Sequence, residues 1–274
     1  MSLSKPWALV SPASRGIGQA LARRILQTTR TPVIATSRTE PDEARERILE
    51  GLGHGASDRL RVIQLDFCSE ESISSAASTC FRYFPPKEGW HLHLAMVIPG
   101  VLFPEKSPAQ ISSSDALLTF QTNSIGPLLA IKHFHQFLPR KSASLFREGK
   151  EMDIYDGLPK QAIWTSMSAR VGSISDNGLG GWYSYRASKA AVNQIIKTFD
   201  NHLKATSAGN AMAVGLHPGT VKTDFSKEFW GNVRKEKLFE KEFAAQKLLE
   251  VVIGLELENG RGRCWDWKGE EVPP

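Results

Sequence analysis

The chain has few cysteines and no long hydrophobic run. Its 274 residues include Cys68, Cys80 and Cys264, an odd number at wide spacing without a CxxC pair, so neither a disulfide framework nor a zinc site is indicated. No apolar run approaches the roughly 18–20 residues that a bilayer crossing requires. The first residues, MSLSKPWALV, lack the basic segment and apolar core of a secretion signal, and we expect a cytoplasmic location without membrane partners.

Basic residues are in modest excess but are not clustered. The 34 Lys and Arg against 29 Asp and Glu give a formal net charge of +5, and the densest basic stretch, 140–150, is mixed with Ser and Glu. This pattern favours a solvated surface with an anion site over a nucleic-acid-binding face. We expect the histidine pairs at 91/93 and 133/135 to be surface or hydrogen-bonded residues and not a metal site.

Short apolar runs alternate with helical periodicity along the whole chain. The alternation predicts a single-domain α/β fold over residues 1–274, with a doubly wound parallel sheet of about seven strands and helices on both faces. The polar stretch 139–160 has no period and is expected to be a flexible insertion before the fifth strand. The strand candidates are 7–10, 32–35, 60–66, 93–98, 163–165, 211–217 and 264–265.

A glycine-containing turn joins the first strand to the first helix. It reads Ser14-Arg15-Gly16-Ile17-Gly18. Glycines at such a turn let the backbone approach a pyrophosphate and place it at a helix N-terminus, where free N–H groups favour anions. An ordinary tight turn is the alternative interpretation. The position between a strand and an amphipathic helix favours a dinucleotide site.

The end of the second strand indicates which dinucleotide is bound. An NAD site usually carries an acidic residue there for the ribose 2′-hydroxyl, whereas this strand ends Ala35-Thr36-Ser37-Arg38. Arg15 and Arg38 facing the adenosine ribose would favour the 2′-phosphate of NADP(H). Glu40 and Asp42 lie just beyond and weaken this argument, and two solvated surface arginines are the alternative.

Two Tyr-x-x-x-Lys strings occur, and only one suits a helix. Pro85 and Pro86 interrupt Tyr83…Lys87, whereas Tyr185-Arg-Ala-Ser-Lys189 favours a helix that places both side chains on one face. An ammonium beside a phenol lowers the phenol pKa from about 10 and suits it to proton transfer. We therefore expect Tyr185 to protonate a carbonyl oxygen as hydride reaches the carbon.

In order and spacing, these motifs resemble the short-chain dehydrogenase/reductase family over essentially the full chain, within a subgroup that includes bacterial C-factor and its fungal relatives. The resemblance implies a Rossmann-type, NADP(H)-dependent oxidoreductase. The matching segments are Ser14–Gly18, Asp66, Asn123-Ser124-Ile125-Gly126, Tyr185–Lys189, His217–Thr223, Ser168–Ile174, Gly180-Gly181-Trp182 and Trp265–Gly269.

The resemblance also implies residue roles. Tyr185 would be the acid/base, Lys189 would hold the nicotinamide ribose, Asn123 would anchor a water leading from Lys189 to solvent, and Ser168 would orient the carbonyl. Asp66 would contact adenine. The full set of implied cofactor contacts is Ser14, Arg15, Gly16, Ile17, Gly18, Arg38, Asp66, Gly100, Asn123, Tyr185, Lys189, Pro218, Gly219, Val221 and Thr223.

Three departures from the family pattern bear on these roles. Pro12 stands where a glycine is usual, and Val97-Ile98-Pro99 replaces the usual amide-bearing Asn-Asn-Ala. If Gly172 is aligned with the family glycine, Ala169 occupies the serine position. Ser168 can then orient the carbonyl only if the loop is shifted by one residue. Ser173 and Ser166 are the alternatives for this role.

The predicted activity is reversible NADPH-dependent reduction of a ketone or aldehyde to an alcohol. The alternatives are a catalytically silent NADP-binding or signalling homologue and a non-redox lyase or cyclase on the same fold. Residues 223–240, with Phe225, Phe229 and Trp230, would form a lid over an apolar small-molecule substrate, or else a helix packed on the body. The family resemblance further implies a homodimer or homotetramer through helices at 113–137 and 183–204.

Overall fold

The computed structural model describes residues 4–145 and 154–274, and an eight-stranded sheet lies at its centre. The strand order is β10-β9-β6-β5-β4-β1-β2-β3. All neighbours pair in parallel except β10, which runs antiparallel to β9. The strands are β1 Lys5–Ser11, β2 Val33–Ser37, β3 Leu60–Gln64, β4 Trp90–Val97, β5 Ala162–Met167, β6 Ala211–His217, β7 Thr220–Val221, β8 Leu238–Phe239, β9 Cys264–Asp266 and β10 Glu271–Val272, of which β7 and β8 form a separate parallel pair.

Helices cover both faces of this sheet. They are α1 Gly16–Thr28, α2 Pro41–Leu49, α3 His54–Arg59, α4 Glu70–Tyr83, α5 Ser113–Phe120, α6 Gly126–Phe134, α7 Tyr183–Thr206, α8 Lys241–Gly254 and α9 Leu257–Gly260. One apolar core joins the sheet to α4, α6 and α7, and the other joins it to α1 and α8. Because both faces are covered, the central strands are continuously apolar. The doubly wound fold predicted from the sequence is confirmed.

The sheet has one more strand than the seven predicted. The additional strand, β10, has two residues, too short for a periodic pattern to reveal it. The sequence interpretation also left α8 unassigned, although its buried face, including Leu248 and Val252, packs in the same core as α1.

The long helix predicted around 117–131 is interrupted. One π-helical turn, Gln121–Ile125, separates α5 from α6. Pro127 has no N–H to donate to the carbonyl of Asn123 four residues earlier, so the regular α-helical ladder cannot continue there. The interruption places Asn123 on the widened turn, and the side chain of Asn123 is buried.

Two predictions about the whole chain are not decided by the architecture. A single domain over 1–274 with an insertion at 139–160 stays a prediction, and residues 146–153 of that insertion lie outside the described part.

Among the helices that the structure describes, none is both long and apolar enough to cross a membrane.

Candidate active site

The predicted site residues follow the carboxyl ends of the parallel strands. The glycine turn follows β1, Arg38 follows β2, Gly100 follows β4, and Pro218 follows β6. In open α/β sheets the crevice outside these strand ends is where ligands bind. The topology therefore brings together segments that are distant in the sequence.

The glycine turn has the geometry of a close backbone approach. Gly16 has φ +58°, a left-handed conformation that side chains other than glycine rarely adopt. A Cβ on Gly18 would lie 2.0 Å from the carbonyl oxygen of Pro12. Arg15 precedes α1 in extended conformation, its side chain does not cap the helix, and the first turn of α1 carries no acidic residue. These features fit the pyrophosphate of a dinucleotide at the helix N-terminus.

Charged side chains flank this turn. The Arg15 side chain is 81% exposed and lies 3.4 Å from the Asp224 carboxylate, and Arg38 is exposed after β2. Two exposed cations fit an additional phosphate better than a hydroxyl. Asp66 accepts a hydrogen bond from the Cys68 amide at 2.9 Å, so its carboxylate stabilises the turn after β3 at the place predicted for adenine contact.

Tyr185 and Lys189 lie on one buried face of α7, as the spacing predicts. Tyr185 is 7% exposed and Lys189 is 1% exposed. The Lys189 ammonium lies 5.7 Å from the centroid of the Tyr185 ring and donates to the carbonyl oxygen of Met167 at 2.7 Å. The residues of the other Tyr-x-x-x-Lys segment do not share a helix, because Tyr83 ends α4 and Lys87 lies in a separate short turn.

Burial shifts the pKa values of both groups toward their neutral forms. It lowers the pKa of Lys189 to about 8, and it raises the pKa of Tyr185 well above its ordinary value. The sequence interpretation expected the ammonium to lower the phenol pKa. That expectation also placed an oxidised nicotinamide beside the phenol, and it stays a prediction; among the chain's own groups, desolvation of the phenol dominates. A raised pKa makes the phenol a weaker acid, so proton donation by Tyr185 would depend on a neighbouring cation that stabilises the phenolate.

Asn123 contacts the helical segment between Tyr185 and Lys189. Its amide group bonds in both directions to the backbone of Val101, at 2.8 and 3.0 Å, and donates to the Ser188 hydroxyl at 3.0 Å. Ser188 lies between Tyr185 and Lys189 in sequence. Asn123 therefore connects the loop after β4 to the middle of the Tyr-x-x-x-Lys segment.

The three candidate serines all have other partners. Ser168 is 1% exposed, and its hydroxyl donates to the side-chain oxygen of Asn193 at 2.6 Å. Ser166 accepts from the Trp164 indole, and Ser173 donates to the Pro274 carbonyl oxygen. Within the described residues none of these hydroxyls bonds to Tyr185. The role of Ser168 stays a prediction, and it would require Ser168 to exchange its bond to Asn193.

The lid predicted at 223–240 begins as a short 3-10 segment, Asp224–Asn232, between β7 and β8. A Cβ on Gly100 would lie 3.6 Å from the Phe225 ring. That ring centroid is 6.0 Å from the Tyr185 ring, and Phe229 is 4.9 Å from Trp182. Aromatic side chains from the lid and from the start of α7 thus form one wall over Tyr185.

The lid also touches the glycine turn, because a Cβ on Gly16 would lie 3.4 Å from a Thr223 methyl group. In the loop Pro218–Thr223, which follows β6, Val221 is buried and Pro218 and Gly219 are half-buried. The ring centroid of Trp267 lies 4.4 Å from that of Phe239 in β8.

Two residues near α7 were not found by sequence reasoning. Asn193 ties the loop after β5 to α7 through Ser168 and through the carbonyl oxygen of Gly172. Glu105 is 2% exposed and contacts the first turn of α7. Asn193 lies one turn after Lys189 on the same helix, a spacing that could have identified it, whereas Glu105 is 79 residues from its partner and has no local signal.

No protein-family model matches the chain, but individual proteins do. C-signal of Myxococcus xanthus is 31% identical over 163 residues, covering 60% of this chain and 81% of that protein. 1-Hydroxy-2-glutathionyl-2-methyl-3-butene dehydrogenase of a Rhodococcus species is 28% identical over 226 residues, 81% of each chain. The crystal structure of NADPH-bound carbonyl reductase from chicken fatty liver superposes with a TM-score of 0.76 at 25% identity, covering 99% of this chain and 100% of that one.

The doubly wound sheet, the Tyr185–Lys189 pair on α7 and these similarities define an α/β protein of the dinucleotide-binding type. The chain belongs to the short-chain dehydrogenase/reductase family.

Gly172 supports the seating of the loop after β5 on α7, and its replacement tests that contact. A Cβ there would lie 2.7 Å from the Lys189 carbonyl carbon, so Gly172→Ala forces the loop and the helix apart. We expect the free energy of unfolding, measured by urea denaturation, to fall by about 1–3 kcal/mol. Gly178→Ala in the same loop is the control, since nothing lies within 4 Å of its added Cβ. Equal stability of the two variants would contradict the close contact.

Proposed function

We propose that the protein is an NADP(H)-dependent oxidoreductase that reduces a ketone or aldehyde to an alcohol, reversibly, with Tyr185 as general acid/base. The observation that carries the proposal is the buried Tyr185–Lys189 pair at the carboxyl edge of the sheet, joined through Ser188 to Asn123. Relatives bearing the names of dehydrogenases and a similar NADPH-bound carbonyl reductase support the same class of reaction.

The residues present fit an NADP(H) molecule. The glycine turn and the N-terminus of α1 would hold the pyrophosphate, Arg15 and Arg38 the 2′-phosphate, and Asp66 the adenine side. Lys189 would hold the nicotinamide ribose. Gly100, Asn123 and the loop Pro218–Thr223 would line the nicotinamide end of the site.

The chemistry divides between the cofactor and the chain. Bound NADPH would supply the hydride to the carbonyl carbon. Tyr185 would donate its proton to the carbonyl oxygen as negative charge develops there. Lys189 would stabilise the phenolate that remains, and Asn123 would anchor the water through which a proton returns. Ser168 would orient the carbonyl oxygen.

The aromatic wall supports an apolar substrate. Phe225, Phe229 and Trp182 face the side of the cleft that holds Tyr185. Such rings favour a hydrophobic small molecule over a sugar.

One observation favours the alternative of a catalytically silent NADP-binding homologue. Ser168 is hydrogen-bonded to Asn193, and Ala169, which has no hydroxyl, follows it. Tight NADPH binding without turnover of any carbonyl would support that alternative. Product formation without oxidation of the cofactor would support the lyase or cyclase.

The assembly and location predicted from the sequence stay proposals. An apolar face on α5 and α6 supports a homodimer or homotetramer, because Leu117 is 69% exposed and Leu128 is 49% exposed. Faces of this kind mark interaction sites. A cytoplasmic location is proposed on the sequence arguments alone.

Tyr185→Phe tests the proposed acid. The variant retains the ring and its packing but loses the transferable proton, so we expect kcat for an apolar ketone to fall by about 10²–10⁴-fold. NADPH affinity, followed by cofactor fluorescence, should be unchanged. Tyr183→Phe is the matched control, since Tyr183 lies two residues earlier on α7 and is 39% exposed. Turnover at the wild-type rate in Tyr185→Phe would refute this mechanism.

Arg38→Ala tests the assignment of the phosphorylated cofactor. Loss of one charge-assisted hydrogen bond, about 1.5–3 kcal/mol, should weaken NADPH binding by roughly 10- to 150-fold. NADH has no 2′-phosphate, and its affinity should stay constant. Titration with NADPH and with NADH gives the ratio of the two dissociation constants. Arg82→Ala, at an exposed position on α4, is the control. A parallel loss for NADPH and NADH would place Arg38 elsewhere.

A further inference from the structure

The start of α7, which carries Tyr185, lacks the usual cap of a helix N-terminus. The residue before the helix, Trp182, has φ +50° and provides no side-chain hydrogen bond. Gly180 and Gly181, with φ of +64° and +67°, precede it. The chain thus enters α7 through three consecutive left-handed residues, a conformation that is costly for tryptophan. Contacts from elsewhere must hold this entry in place.

Glu105 provides those contacts from the loop after β4. Its two carboxyl oxygens accept hydrogen bonds from the Ser184 amide at 2.7 Å and the Ser184 hydroxyl at 2.6 Å. Its own carbonyl oxygen accepts from the Trp182 amide at 2.6 Å. One residue therefore holds both the last residue before α7 and the second residue within it.

These contacts are buried. Glu105 is 2% exposed and Ser184 is 7% exposed. Among the described residues, no Lys, Arg or His forms an ion pair with Glu105, so its polar partners are the neutral groups of the α7 entry. A buried carboxyl group is costly without its hydrogen bonds. Displacement of the first turn of α7 would remove those bonds, which makes this arrangement resistant to small shifts.

From this geometry we propose that Glu105 is a positioning residue for Tyr185, acting as a side-chain cap from outside the helix. Ser184 immediately precedes Tyr185, so the bonds that locate Ser184 also locate the phenol against the lid ring of Phe225. A misplacement of about 1 Å in a reacting group can cost on the order of 10²-fold in rate. The inference rests on the proposed reduction and adds to it a residue that would act through its contacts with the start of α7.

The experiment compares Glu105→Ala, Glu105→Gln and Ser184→Ala with the wild type. Glutamine keeps an acceptor for the Ser184 amide and a group that can bond its hydroxyl, whereas alanine removes both. We expect Glu105→Ala to lower kcat by at least about tenfold and Glu105→Gln to retain kcat within about threefold. Ser184→Ala, which keeps the amide bond, should lie between them. Lys106→Ala, an exposed neighbour, is the control.

Two further readouts separate positioning from general loss of structure. NADPH affinity should be unchanged in all variants, and hydrogen exchange of the peptide covering 182–190 should rise in Glu105→Ala and remain near wild type in Glu105→Gln. If Glu105→Ala does not fold, the kcat of Ser184→Ala is compared with that of Lys106→Ala. A lower kcat in Ser184→Ala supports the inference, and an equal kcat overturns it.

Unchanged kcat in Glu105→Ala, or an exchange rate at 182–190 that does not rise, would overturn the inference. Equal loss in the glutamine and alanine variants would also overturn it. Failure of the proposed function gives a different result: either Tyr185→Phe assayed in parallel keeps the wild-type rate, or the wild type itself turns over no carbonyl. The exchange measurement tests the contact with α7 independently of turnover.

Discussion

The structure of the site depends on a buried ammonium ion held one helical turn from a buried phenol. Lys189 can stay inside the protein because its ammonium donates to the carbonyl oxygen at the end of β5. That bond requires α7 to lie directly against the end of β5 and the loop that follows. Gly172, whose missing side chain permits the contact, and Asn193, which bonds that loop, are therefore part of the same arrangement. The burial of Tyr185 and Lys189 thus constrains the packing of the 24-residue helix α7.

Residues at the start of the segment predicted as a lid contact both the glycine turn and the part of the cleft that holds Tyr185. Thr223 lies against the glycine turn, and Asp224 faces Arg15 at 3.4 Å. Phe225, the next residue, lies between Gly100 and Tyr185. The exposed ion pair contributes little stability by itself. The segment predicted as a lid therefore contacts both the glycine turn and the ring of Tyr185.

The parts of the fold that could be predicted are those that repeat locally. Apolar runs identified the seven longer strands of the sheet, and the i,i+4 spacing placed Tyr185 and Lys189 on one face of α7. Two-residue β10 is too short for such a signal, and α8 was left unassigned despite its buried face. The contacts of Glu105 and the direction of the Tyr185 pKa shift depend on tertiary packing. The orientation of Ser168 is of the same kind, because its partner Asn193 lies 25 residues away.

The pH dependence of kcat for NADPH-driven reduction tests the central arrangement most directly. Burial lowers the pKa of Lys189 to about 8, and in the proposed reaction the ammonium form is the one that would stabilise the phenolate of Tyr185. The cation is present below that pKa and is lost as the pH rises through it. The account predicts that kcat is constant near pH 7 and declines above about pH 8, with one ionising group. A rate that stays constant or rises between pH 7 and pH 9.5 would contradict it.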